Sequence, residues 1–83
     1  MKFEAAELTL NLEAPVGAVT VQILDPDGKP LRGFTRKDCQ PISGDSFTAP
    51  VRWKKSLSNL QGKSVRLEFF LKDARLYSFE LRK

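Results

Sequence analysis

The residues able to do chemistry in this chain are few, and their types exclude more than they suggest. There is one cysteine, Cys39, and no histidine. A zinc site of the Cys/His kind therefore cannot be assembled, and a cysteine nucleophile would lack its usual activating base. Cys39 is read as a small buried apolar side chain, and a lone cysteine can form no disulfide within the chain. The carboxylates Asp25, Asp27, Asp38 and Asp45 fall among turn residues, where calcium loops also draw their ligands. The stretch beginning at Asp25-Pro26-Asp27-Gly28 has Arg36 at its twelfth position instead of glutamate. Turn formation is thus the expected role of these acids. Glu68 and Glu80 are the one carboxylate pair that a terminal hairpin would bring together, with Arg66 and Arg82 close enough to neutralise them. No catalytic residue, metal or cofactor is assigned from these groups.

Ligand contact is a different matter, because exposed aromatic faces stack on sugar rings while neighbouring polar groups bond the hydroxyls. Phe70, Trp53 and Tyr77 are the candidate ligand-binding residues, with Phe34 a weaker fourth. Phe70 shares its strand face with Arg66, Glu68 and Lys72, which places an aromatic among charges. Trp53 falls in an apolar row with Phe47, Ala49 and Val51, and Tyr77 in one with Phe79 and Leu81. Core packing competes with ligand contact at both.

The elements that must position these groups read as strands. Leu8, Leu10 and Leu12 alternate with polar residues, Pro15 and Gly17 interrupt, and Val19, Val21 and Ile23 form a second inward row. These two strands are expected to be antiparallel neighbours. Asp25 to Gly28 is a β-turn, with Pro26 fixing φ and Gly28 free to take a positive φ. A short edge segment follows around Leu31 and Phe34, Pro30 keeping it off the sheet interior. Residues 35–46 are irregular, and residues 47–53 return to strand. Ser56 to Gln61 resembles one helical turn, with Leu57 and Leu60 inward and Gly62 a stop. Val65, Leu67, Phe69 and Leu71 alternate, Lys72-Asp73-Ala74-Arg75 reads as a turn, and Tyr77, Phe79 and Leu81 alternate again as the second arm of a hairpin. The expected fold is all-β: a small antiparallel β-sandwich, jelly-roll-like or an open barrel, of six to seven short strands with one helical turn. Residues 1–83 read as a single domain.

Composition agrees with a small globular module. Apolar residues make 41% and charged residues 29% of the chain, values of neither a disordered nor a membrane protein, and no apolar run approaches the roughly 18 residues of a membrane span. The net charge of +4 is dispersed. The densest basic run, Arg52-Trp53-Lys54-Lys55, is too short for a nucleic-acid footprint, so neither nucleic acid nor membrane is an expected partner.

The ordered series ILDPDGKPLRGFT (residues 23–35), Asp38-Cys39, Pro41-Ile42-Ser43-Gly44-Asp45, Val51-Arg52-Trp53-Lys54, Leu60-Gln61-Gly62-Lys63, Val65-Arg66-Leu67 and Lys72-Asp73-Ala74-Arg75-Leu76-Tyr77-Ser78-Phe79 carries a resemblance. Across residues 6–82 it resembles the C-terminal β-sandwich module of bacterial glycoside-hydrolase-like proteins, whose catalytic domains are β-propellers of the sucrose-hydrolase or sialidase kind. The resemblance implies a non-catalytic accessory role, with the acid and nucleophile carboxylates in the propeller. It also implies a strand upstream of Leu8, for which residues 1–6 are what this chain offers. Without that partner residues 8–12 would form an exposed edge and promote self-association. Two roles are therefore expected: a structural module that packs against a catalytic domain or a second copy, or a carbohydrate-binding module acting through exposed aromatics.

Overall fold

The computed structural model describes residue 3 and residues 6–82. It is an antiparallel sheet of four strands, β1 (Glu7–Leu24), β2 (Ile42–Pro50), β3 (Arg66–Lys72) and β4 (Arg75–Arg82), with a 3-10 turn at Leu57–Leu60. Four strands replace the expected six to seven: two expected strands merge into β1, and the segment around Leu31 and Phe34 contributes only an isolated bridge between Leu24 and Pro30, while the next strand runs over Ile42–Pro50 instead of residues 47–53. Two connections differ from the expected ones.

The first difference is β1. Its two leucine and valine rows were expected as separate strands, yet they form one 18-residue strand. Pro15 and Gly17 do not end it; they sit in a bulge. Glu13 pairs with Arg75 and Ala18 with Lys72, so four β1 residues stand opposite two on the partner side. The five-residue step from Ala14 to Val19 also changes the parity of the inward row. Leu8, Leu10, Leu12 and Ala14 therefore face the same core as Val19, Val21 and Ile23, all essentially buried. Extended at ~3.3 Å per residue, β1 would run about 59 Å, whereas the longest dimension of the molecule is 34 Å. The strand therefore cannot run straight, and the bulge is where its course changes.

The second difference is the terminal hairpin, which does not form. β3 and β4 run in the same direction, one after the other, and both pair antiparallel with β1: β3 along Ala18 to Leu24, β4 along Glu7 to Glu13. Lys72-Asp73-Ala74-Arg75 is a corner and not a reversal, Asp73 taking a left-handed φ of 49°. The corner follows the bend of β1. Phe69 and Phe79, ten residues apart on what would otherwise be one straight edge, have ring centroids 5.2 Å apart. Glu68 and Glu80 consequently do not oppose each other. Glu68 accepts from the Gln22 amide at 2.8 Å, and Glu80 pairs with Arg82.

On its other flank β1 pairs with β2 from Thr9 to Val19. It is central in the sheet, so the expected exposed edge at residues 8–12 is corrected: pairing covers both sides of that segment. Most of the expected upstream strand lies outside the described residues. Phe3, fully buried, donates its N–H to the Lys63 carbonyl and accepts from the Gly62 N–H.

The remaining chain closes the core. Phe34, Cys39, Val51, Leu57, Leu60 and Val65 pack on the β1 rows. Ser56 caps the 3-10 turn by accepting from the Ser58 N–H, and Leu57 and Leu60 point inward as expected. The Asp25 turn also forms as expected. Its carboxylate accepts from the Asp27 and Lys29 N–H groups, its carbonyl accepts from Gly28, and Gly28 sits at φ 90°.

Gly17 is required by close approach: a Cβ there would overlap the carbonyl oxygens of Lys72 and Asp73. At Gly28 the obstacle is only the positive φ, since a Cβ would meet open space. Gly17→Ala should cost about 1–3 kcal/mol through overpacking of backbone, and Gly28→Ala about 1 kcal/mol. In thermal unfolding both variants should melt below the parent, G17A lower than G28A, and the reverse order would contradict the bulge geometry.

Candidate binding surface

Each aromatic singled out in the sequence has a distinct fate. Trp53 is half-buried and committed to structure. Its indole Nε1–H donates to the Val21 carbonyl at 2.8 Å, and its ring lies 6.1 Å from that of Phe34. The Val21 N–H is taken by the Cys39 sulfur at 3.4 Å. Beyond the end of β2, then, the free edge of β1 is finished first by two side chains and next by the 31–34 segment, where Ile23 donates to Phe34 and accepts from Leu31. A backbone left unpaired there would be costly, and this arrangement leaves no indole N–H for a ligand. Phe70 is half-buried, with the Arg36 guanidinium 4.3 Å from its ring centroid. One face of its ring is thus occupied by an arginine side chain.

Tyr77 and Phe47 differ from their expected core positions. Tyr77 is 57% exposed and Phe47 85% exposed. Both occupy register slips. The β1–β2 pairing shifts between Leu10 and Leu12, partnered by Ala49 and Ser46, which leaves Phe47 and Thr48 opposite Asn11 alone. The β1–β4 pairing shifts between Asn11 and Leu12, partnered by Ser78 and Leu76, which leaves Tyr77 as the extra residue. An extra residue in a strand turns its side chain away from the alternation that local sequence predicts. Asp45, expected in a turn, is instead paired with Glu13 inside β2.

Together these residues bound a shallow groove of about 170 Å³, lined by Phe47, Tyr77 and Leu12 and by the polar Asn11, Glu13, Asp45 and Ser46. The Tyr77 hydroxyl donates to Glu13 Oε2 at 2.9 Å and fixes the ring. A larger cleft of about 380 Å³ lies along residues 50–57 beside Glu7 and Gln40, with Arg52, Lys54 and Lys55 on its wall. Lys54 is within 3.7 Å of Asp38. The Asp38 carboxyl is held below its ordinary pKa, first by the Thr35 hydroxyl, with the Thr35 N–H and Lys54 adding to the effect. Asp38 is a loop staple, as its place among turn acids implied. A third feature is the outer rim of β3 and β4, where Leu71 and Phe79 are each 46% exposed although both belong to the core-facing row.

Among the described residues no group of three or more His, Cys, Asp or Glu side chains is arranged to hold a metal ion. No helix in them is long and apolar enough to cross a membrane. Comparison of the chain with protein-family models, curated proteins and solved structures finds no match.

Two outcomes test the Val21 edge. Trp53→Phe keeps an aromatic against Phe34 but strands the Val21 carbonyl, and should lower unfolding free energy by about 1–3 kcal/mol in urea titrations. Burial raises the Cys39 thiol above its ordinary pKa of 9.0, the Val21 N–H opposing weakly. A folded pKa above the unfolded one means that the protonated thiol's contribution is complete below the unfolded value. It is lost as pH climbs through the folded value. The parent should therefore lose stability relative to Cys39→Ala as pH rises past about 9, measured by urea midpoints at matched pH, while iodoacetamide at pH 8 should label Cys39 only on unfolding.

Proposed function

We propose that this chain is a non-catalytic accessory module of the kind attached to bacterial glycoside-hydrolase-like proteins, its bent sheet closing as a small sandwich. Its role is to pack against a larger catalytic domain or another copy of itself. The observation that carries this reading is the β3–β4 rim. Among the described residues no strand pairs with its outer edge, and Leu71 and Phe79 stand half-exposed there beside Phe69 and Leu81. An unpaired edge with an apolar row is a surface that recruits another chain. The ordered motifs of residues 23–79 supply the glycoside-hydrolase context. Glu68 and Glu80, the pair considered from the sequence, are engaged separately, with Gln22 and with Arg82, which is consistent with this reading.

Analytical ultracentrifugation of the chain, alone and mixed with a propeller-type glycoside hydrolase domain, tests the rim. Association is expected in at least one of the two, weakened tenfold or more, about 1.4 kcal/mol, when Leu71 and Phe79 are both changed to Lys. A monomer in both mixtures would overturn the packing role. Turnover of a glycoside panel that disappears in Glu68→Gln or Glu80→Gln would overturn the non-catalytic one.

A further inference from the structure

The two register slips that expel Phe47 and Tyr77 lie on opposite flanks of the same β1 segment. One spans Leu10 to Leu12 and the other Asn11 to Leu12. Their coincidence sets two aromatic side chains on either side of one strand. Because neighbouring strands are ~4.8 Å apart, β2 and β4 are separated by about 10 Å across β1. Bulges of this kind re-aim side chains and are enriched beside binding sites. Leaving Phe47 85% exposed forgoes the burial of a large apolar side chain that the alternation of residues 47–51 would otherwise have turned inward. Core packing does not explain either ring.

The chemistry of the lining narrows the ligand. Beside the apolar Leu12, Asn11 offers an amide donor and acceptor, Ser46 a hydroxyl that already accepts from the Thr48 N–H, and Asp45 and Glu13 carboxylate acceptors, one Glu13 oxygen being taken by Tyr77, while neither lysine nor arginine lines the groove. Hydroxyl groups suit such a lining. Phosphate or sulfate would meet two carboxylates and no cation, and the stacking of nucleic-acid bases on aromatics normally comes with a positive groove. The volume of about 170 Å³ is below the roughly 300–1,000 Å³ typical of small-molecule pockets, as fits a ligand that lies across the surface and continues beyond it.

We propose that this groove binds a neutral polysaccharide, with sugar rings resting on Phe47 and Tyr77 and hydroxyls bonded by Asn11, Glu13 and Asp45. Neither Leu71 nor Phe79 lines the groove, and the proposal stands independently of the packing role, since each set of substitutions leaves the other set of side chains in place.

Affinity electrophoresis of the full chain in gels containing glucomannan, xyloglucan, levan or inulin, with dextran sulfate and a single-stranded oligonucleotide as anionic controls, tests it. Retardation is expected in at least one neutral gel, and any slowing in the anionic controls, to which a chain of net charge +4 is attracted, should be the weaker and should be unchanged by Phe47→Ala or Tyr77→Ala. Phe47→Ala and Tyr77→Ala should each weaken retardation in the neutral gel tenfold or more. Tyr77→Phe, which keeps the ring and loses the bond to Glu13, should weaken it less. Thermal unfolding of Phe47→Ala should match the parent, because the side chain is already exposed. Three results would overturn the proposal: no retardation in any neutral gel, retardation indifferent to both alanine substitutions, or stronger retardation by an anionic control.

Discussion

The backbone of β1 is the constraint on which the rest of this structure depends. Every strand pairing in the sheet has β1 as one member, so its 18 residues must find hydrogen-bond partners on two flanks at once. β3 and β4 supply one flank in succession. The other is assembled from three unlike parts: β2 up to Val19, the Cys39 sulfur and Trp53 indole at Val21, and the 31–34 segment at Ile23. Buried peptide groups tolerate no gaps. The positions of Cys39 and Trp53 follow from that requirement, and a residue that might have been a reactive thiol and one that might have been a ligand platform are both consumed by it.

The bend at residues 14–18 is where β1 changes course. Gly17 lets β1 pass against the Lys72 and Asp73 carbonyls, and the parity change from Ala14 to Val19 keeps both apolar rows on the inside. Phe69 and Phe79 then meet across the fold. The same bend leaves the outer edges of β3 and β4 without a strand partner among the described residues and their apolar row half-covered. Closure of the core and exposure of the rim are two results of one geometry.

Inward rows were legible in the sequence because alternation over a few residues is a local property. Leu8, Leu10, Leu12, Val19, Val21 and Ile23 are buried where period two places them, and the Asp25 turn forms through bonds within five residues. What alternation could not convey is how rows connect. Pro15 and Gly17 carry the local marks of a chain break, and Lys72-Asp73-Ala74-Arg75 those of a hairpin turn, yet a bulge and a corner use the same residue types. The choice between them is made by pairing with residues far along the chain. Phe47 and Tyr77 were misplaced for the same reason: each lies in a row that a slip of register, set by β1, pushes outward.

By itself, then, the sequence determined an all-β antiparallel fold, the inward rows of β1, the turn at Asp25 and the absence of histidine or paired-cysteine chemistry, since composition and short-range periodicity suffice for these. Only the tertiary structure decided that two predicted strands are one and that the terminal strands run on instead of doubling back. It also decided that Trp53 and Cys39 serve the edge of β1 while Phe47 and Tyr77 face solvent together. Each of these depends on long-range register, in which one extra residue on either side of a strand changes which way the following side chain points.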